Sequence, residues 1–176
     1  MSNTEPINSA MERIQDILRR SLEERGHVLT GSLRDNIQFS LEETPSKIIA
    51  RMTVPTYGMY VEFGVRPERI PYNTKRGVSM GKSKYIQALI DYFQARGKDS
   101  VESVRAAFAT ARVHSREGMS TKASARFSSV GKRNAYFTSK RDEIEGILSV
   151  AASAYATKIV DVTFAVEGRQ TETIRL

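Results

Sequence analysis

The 176-residue chain contains no cysteine and no tryptophan. Without cysteine there is no disulfide framework and no thiolate metal site, and synthesis in a reducing cytosol is expected. The two histidines, His27 and His114, are far apart in polar surroundings and form no His-x-x-x-His spacing. Solvated or capping roles are expected of them, ahead of ligand or base. No apolar run approaches the roughly 20 residues that span a bilayer. The opening stretch MSNTEPINSAMERIQ lacks the basic-then-apolar order of a secretory signal. The abundant serines offer no catalytic triad. Residues 77–83, GVSMGKS, place three residues between the first glycine and GK, where a phosphate loop needs four, and no apolar strand precedes them. They read as a glycine-rich loop before a helix, with a nonspecific anion contact at that helix start left open. No catalytic residue, metal or cofactor is expected.

What is present is ordinary for a folded chain: 40% apolar and 27% charged residues. The formal net charge of +7 is unevenly spread. Residues 66–141 hold 17 Lys/Arg against 5 Asp/Glu, and the remainder holds 10 against 15, so an acidic frame encloses a basic middle. Such a field attracts nucleic acid, acidic protein surfaces or anionic membranes without choosing among them.

Periodicity organises the chain. Ile7, Met11, Ile14, Ile17, Leu18 and Leu22 form the stripe of an amphipathic helix over residues 6–25, with Gly26 as its C-terminal cap. Thr30 or Ser32 can cap a short helical turn. NIQFSLEE alternates with period two, TPS interrupts it, and KIIARMTVP resumes it, which predicts a β-hairpin. TYGMYVEFGVRP is either strand or short helix. A loop over residues 66–82 leads to a helix capped by Ser83 and closed by Gly97. Another helix follows from DSVESV, with Ser100 as a candidate cap. MSTKASARFSSVGKRN reads as a flexible loop whose ordering needs a partner. SKRDEIEGILSVAASAYATKIVDVTFAVEG reads as a long final helix capped by Ser139, with strand as the alternative for its β-branched end KIVDVTFAV. The fold expected is α+β: N-terminal helix, antiparallel hairpin or small sheet, helical insertion, long C-terminal helix. It forms a single domain over residues 1–176 with a basic helical insertion at about 68–133.

Two features hold the remaining chemistry. Glu62 is flanked by apolar residues on both sides, so it is a buried general acid or, the favoured reading, a structural ion-pair partner of an arginine, Arg34 or one across a subunit boundary. The basic middle interleaves Tyr72, Tyr85, Tyr92, Phe127 and Tyr136, as a single-strand binder would for stacking, against the blander reading of a solvated basic face meeting an acidic partner.

TGSLRDNI, then a hairpin, then YGMYVEFG followed by Arg-Pro, resembles the tail-completion or neck proteins of long-tailed bacteriophages. Thr30, Gly31, Leu33 and Arg34 match that family's first segment; Tyr57, Tyr60, Val61, Glu62, Phe63 and Gly64 match its second. RNAYFTSKRDEI stands where the family has a Pro-Phe-Leu-Arg-Pro approach to its last helix, without the prolines. The resemblance covers roughly residues 5–67 and 134–160, and the segment between is similar to the helical insertion of longer members. It implies a non-enzymatic virion protein made in the host bacterial cytoplasm. Such a protein forms a homo-oligomeric ring, hexamer or dodecamer, that completes the tail end and joins tail to head. Implied partners are other neck and tail proteins (head-closure or connector, tail terminator, tail tube) and genomic DNA passing through the channel without sequence recognition, with no membrane. Tail terminator, a nucleic-acid-binding protein using the basic middle, and a phage-encoded enzyme or toxin are the competing readings. Candidate interface or anion contacts are Arg105, Arg112, Arg116, Lys122, Arg126, Lys132 and Arg133; the acidic frame and basic insertion offer complementary faces for a ring.

Overall fold

In the computed structural model, the first apolar stripe forms helix α1, Glu5–Glu24, with Ile7, Met11, Ile14, Ile17, Leu18 and Leu22 all buried. The helix stops at a two-bond glycine cap: Gly26 N–H donates to Glu23 O at 2.8 Å and His27 N–H to Leu22 O at 2.9 Å, with Gly26 at φ +73°. The structure describes residues 4–27, 30–72, 83–155, 159–166 and 169–175; from 159 on, Val160 is the one residue whose side chain is described. The GVSMGK segment and Leu176 lie outside the described residues.

The fold is α+β, and the chain divides into two compact units, residues 1–63 with 126–176, and residues 64–125. The second unit starts and ends a few residues ahead of the insertion expected at 68–133; residues 126–133 belong to the first.

In the first unit, α2 (Ser32–Asp35) leads to β1 (Gln38–Thr44) and β2 (Lys47–Val54), an antiparallel hairpin about the Pro45-Ser46 turn. Helix α3 (Gly58–Phe63) follows. Later come α6 (Arg141–Ala152), β3 (Ile159–Val166) and β4 (Arg169–Arg175). The sheet order is β1-β2-β3-β4, with β2 and β3 parallel and β3 and β4 antiparallel. The core joins α1, α6 and one sheet face: Ile14, Leu18 and Leu22 with Ile144 and Leu148, and Ile48, Ala50, Met52 and Val160 from the strands. Burying each large aliphatic side chain there contributes roughly 2 kcal/mol.

The last helix is shorter than expected. It ends at Ala152, and Ile159–Val166 pairs with β2 through the register Lys47↔Ile159 to Val54↔Val166. A β-branched run gains more from a sheet than from a helical turn, where its χ1 freedom is restricted. Ser139 does not cap α6. Thr138–Lys140 forms a 3₁₀ turn, the cap position is Lys140, and Ser139 Oγ accepts from Arg25 Nη2 at 2.8 Å.

The second unit is a helical hairpin, α4 (Lys84–Ala95) and α5 (Ser100–Glu117), closed on Ile86, Ile90, Ala107 and Ala111. Ser83 Oγ caps α4 by accepting from Ile86 N–H at 3.2 Å. Gly97, at φ +84°, closes α4 with the same two-bond cap as Gly26. Asp99, not Ser100, caps α5, its carboxylate accepting from Glu102 N–H at 2.8 Å. A carboxylate at a helix N-terminus also meets the positive end of the macrodipole. Val65 and Met119 exchange backbone hydrogen bonds at 2.6 and 2.8 Å, joining the two ends of this unit.

Candidate functional site

The two motif segments meet through small, buried contacts. Thr30 is exposed, its Oγ1 3.4 Å from Ser32 N–H, and neither it nor Ser32 caps α2. The cap position is Gly31 at φ +68°, where a Cβ would sit 2.7 Å from Asp35 Oδ2, so glycine is required there. Leu33, 4% exposed, points into the core. Gly58 opens α3 against it: a Cβ on Gly58 would lie 3.2 Å from both Leu33 Cδ1 and Tyr136 OH. TGSLRDNI, YGMYVEFG and the turn before α6 therefore converge on one point.

Glu62 completes the junction. It is 7% exposed, and its carboxylate accepts from Phe137 N–H at 2.8 Å, Thr138 N–H at 3.0 Å and the Thr138 hydroxyl. Its own carbonyl accepts from Ala135 N–H at 2.8 Å. The expected Arg34–Glu62 pair is thus not formed. Glu62 is satisfied by amides at the head of the 3₁₀ turn that runs into α6, where free N–H groups and the helix dipole favour an anion. Arg34 instead donates to Asp35 Oδ1 at 2.8 Å and Glu23 Oε1 at 3.0 Å on the surface. Its hydrogen bonds to these acids raise the Arg34 pKa further, and the same bond lowers that of Asp35. Arg34, Asp35 and Glu23 line an open depression of about 540 Å³ together with Asp16, Arg19 and Arg20.

On α3 the signature divides by face. Gly58 and Glu62 are buried and Val61 is partly buried against the core. Tyr57, Tyr60 and Phe63 are 41%, 58% and 69% exposed. Their three-residue spacing sets them in a row along one side of the helix. Gly64, the last signature position, takes φ +75°; a Cβ there would strike the Met119 carbonyl oxygen.

The segment 128–139 is tied to the end of α1. Ser129 N–H donates to Glu24 O at 2.8 Å. Arg133 donates to Arg25 O at 3.2 Å and Gly26 O at 2.9 Å. Arg25 donates in return to Asn134 O at 2.9 Å, and Ser21 Oγ to Tyr136 O at 2.7 Å. His27 Nε2 meets the Arg133 carbonyl, and burial, reinforced by Arg133 and Arg25, lowers its pKa. Residues 128–134 of the loop expected to be flexible are thus tied down, because open helix-end carbonyls and arginine donors satisfy each other. Arg133 is accordingly occupied within its own unit. Arg126 lies 4.8 Å above the Phe127 ring, and Lys132 is exposed. Arg105, Arg112 and Arg116 are exposed on α5, as is Lys122 just beyond it.

Of the five aromatics interleaved with the basic residues, Phe127 is the most open, 45% exposed beside Arg126. Tyr136 is 3% exposed, Tyr72 and Tyr85 pack on the α4–α5 core, and Tyr92 is edge-on to Phe93 beneath Arg96. Tyr85 OH and His114 Nδ1 are 2.7 Å apart; burial pushes the tyrosine up to about 12 and the histidine below its usual value. Among the described residues, no group of three or more His, Cys, Asp or Glu is placed to hold a metal ion. Gly58, Tyr136 and Thr138 are the junction residues that sequence reasoning missed. The glycine set inside an aromatic helix was the available signal for the first. Comparison of the chain with family models, curated proteins and solved structures finds no match.

Proposed function

We propose that the chain is a structural protein of a phage neck, a non-enzymatic subunit that self-associates into a ring completing the tail end and joining it to the head. The observation that carries the reading is the division of α3. Gly58 and Glu62 fix the helix from beneath, while Tyr57, Tyr60 and Phe63 form an exposed aromatic row above. Aromatic side chains held on an anchored element lose little freedom on docking, which is what a subunit contact needs. In this reading the segment that resembles tail-completion proteins divides its work on α3: inward residues place the helix and outward ones meet a neighbour.

A ring follows when that face docks on a different face of the next copy and the rotation closes. Hexamer and dodecamer are the expected sizes, with other neck and tail proteins above and below and DNA in the channel. Mass photometry and negative-stain microscopy of the purified protein test this. Discrete ring particles are expected; a protein that stays monomeric up to tens of micromolar and is missing from virions overturns the reading.

A further inference from the structure

The charge ledger changes once the units are known. Residues 64–125 hold 12 Lys/Arg against 5 Asp/Glu, a net +7, so the other unit's 15 and 15 cancel. The acidic frame read from sequence is neutralised by residues 126–141, which fold with it: Lys140 lies 3.9 Å from Glu24 and from Glu143, and Arg141 is 2.8 Å from Glu145. A second copy of this chain therefore brings no net acidic excess to the basic unit, which favours a partner of stronger negative charge.

Within the basic unit, α5 buries Ser103, Ala107 and Ala111 and turns Arg105, Arg112 and Arg116 outward. Steps of seven and four residues keep the three within about 40° of arc and spread them over about 16 Å of helix axis. Ala109 between them is too small to hold a ligand away. No acid among the described residues pairs with any of the three. The acids on the same helix are engaged: Glu102 lies 3.4 Å from Lys98 Nζ, and Glu117 accepts from Lys122 N–H at 3.1 Å.

We infer that this arginine row is a contact for the phosphate backbone of duplex DNA, independent of sequence. A straight row of unpaired guanidinium groups matches a polyanion whose charge repeats every few ångström along its axis, and arginine grips phosphate oxygens in pairs. An acidic protein surface would instead have to set carboxylates at matching intervals. The inference rests on the neck reading only for the reason that DNA is near.

Fluorescence anisotropy of the full chain with a labelled 30-base-pair duplex of mixed sequence tests it, from 50 to 200 mM NaCl. Arg105→Gln, Arg112→Gln and Arg116→Gln together should flatten the dependence of log K on log salt by about 2.7, roughly a 40-fold affinity change over that range. Arg112→Gln alone should flatten it by about 0.9. Removing equal charge from exposed positions of the other unit, Arg13→Gln, Arg20→Gln and Arg51→Gln, should change it by less than half as much. Equal losses from the two triple variants overturn the inference, as does a wild-type protein that does not bind the duplex at 50 mM salt. So does a row variant that keeps DNA affinity and loses self-association, which would assign the face to a neighbouring protein. Wild-type protein that binds DNA through the row yet remains monomeric supports this inference and removes the ring.

Discussion

Glu62 shows how one buried carboxylate can decide the placement of a helix. Its acceptor oxygens hold the Phe137 and Thr138 amides, which are donors that the start of a helix otherwise leaves open. Glu62→Ala should therefore destabilise the protein by about 3 kcal/mol, because charge-assisted bonds to partly buried amides are lost together. Glu62→Gln, which retains one acceptor oxygen, should lose roughly half of that. Urea titration followed by circular dichroism measures both. Arg34→Ala, by contrast, breaks exposed ion pairs and should change stability little. The effects of Arg34→Ala and Glu62→Ala should add, since the residues share no bond; coupling between them would restore the ion pair expected from sequence. A second residue-scale prediction concerns His27. Its folded pKa is lowered by burial, so the unfolded chain takes up the proton first. Stability is fully present above the unfolded value near 6.5 and declines as pH falls below it. The buried His114 contributes with the same sign. Thermal melts should be level from pH 8 to 7 and drop between pH 6.5 and 5. His27→Gln should make the drop shallower, and His27→Gln with His114→Gln should nearly remove it.

At the scale of elements, two glycines in helices should respond oppositely to alanine. Gly146 lies inside α6 with nothing within 4 Å of a Cβ, so Gly146→Ala should stabilise by about 0.8 kcal/mol through helix propensity. Gly58→Ala should cost about 1 kcal/mol, because Leu33 and Tyr136, both buried, must move for it. Differential urea unfolding separates the two signs. The contrast also marks what could be read from the chain. Helices α1, α4 and α5 were legible because apolar residues recur at helical spacing and a glycine follows each of them; the hairpin was legible from its alternation. The β3 strand was legible only as an alternative, since parallel pairing with β2 spans more than a hundred residues and no local pattern encodes it. The acceptors of Arg133 and two of the three donors to the Glu62 carboxylate are backbone groups, which every residue carries, so no side-chain pattern could point to them. Within YGMYVEFG, burial separates the anchors Gly58 and Glu62 from the exposed Tyr57, Tyr60 and Phe63, a distinction the motif alone does not carry.

For the whole molecule, the proposed ring would make assembly and stability independently adjustable, because anchor and outward face of α3 are separate. Tyr60 and Phe63 are more than half exposed, so each contributes little to the isolated subunit's fold. In a ring contact the same rings would become desolvated anchors, where truncation of a central aromatic typically costs about 2 kcal/mol or more. Tyr60→Ser and Phe63→Ser should each weaken self-association roughly 30-fold at 2 kcal/mol, while the monomer's melting temperature stays within about 2 °C of wild type. Glu62→Ala should do both kinds of damage, lowering the melting temperature and loosening the ring, because it releases the helix that carries the row. Mass photometry across a dilution series, paired with calorimetry of each variant below its association range, distinguishes these patterns. Rings that survive both aromatic substitutions would place the subunit contact on another face and leave α3 as scaffold.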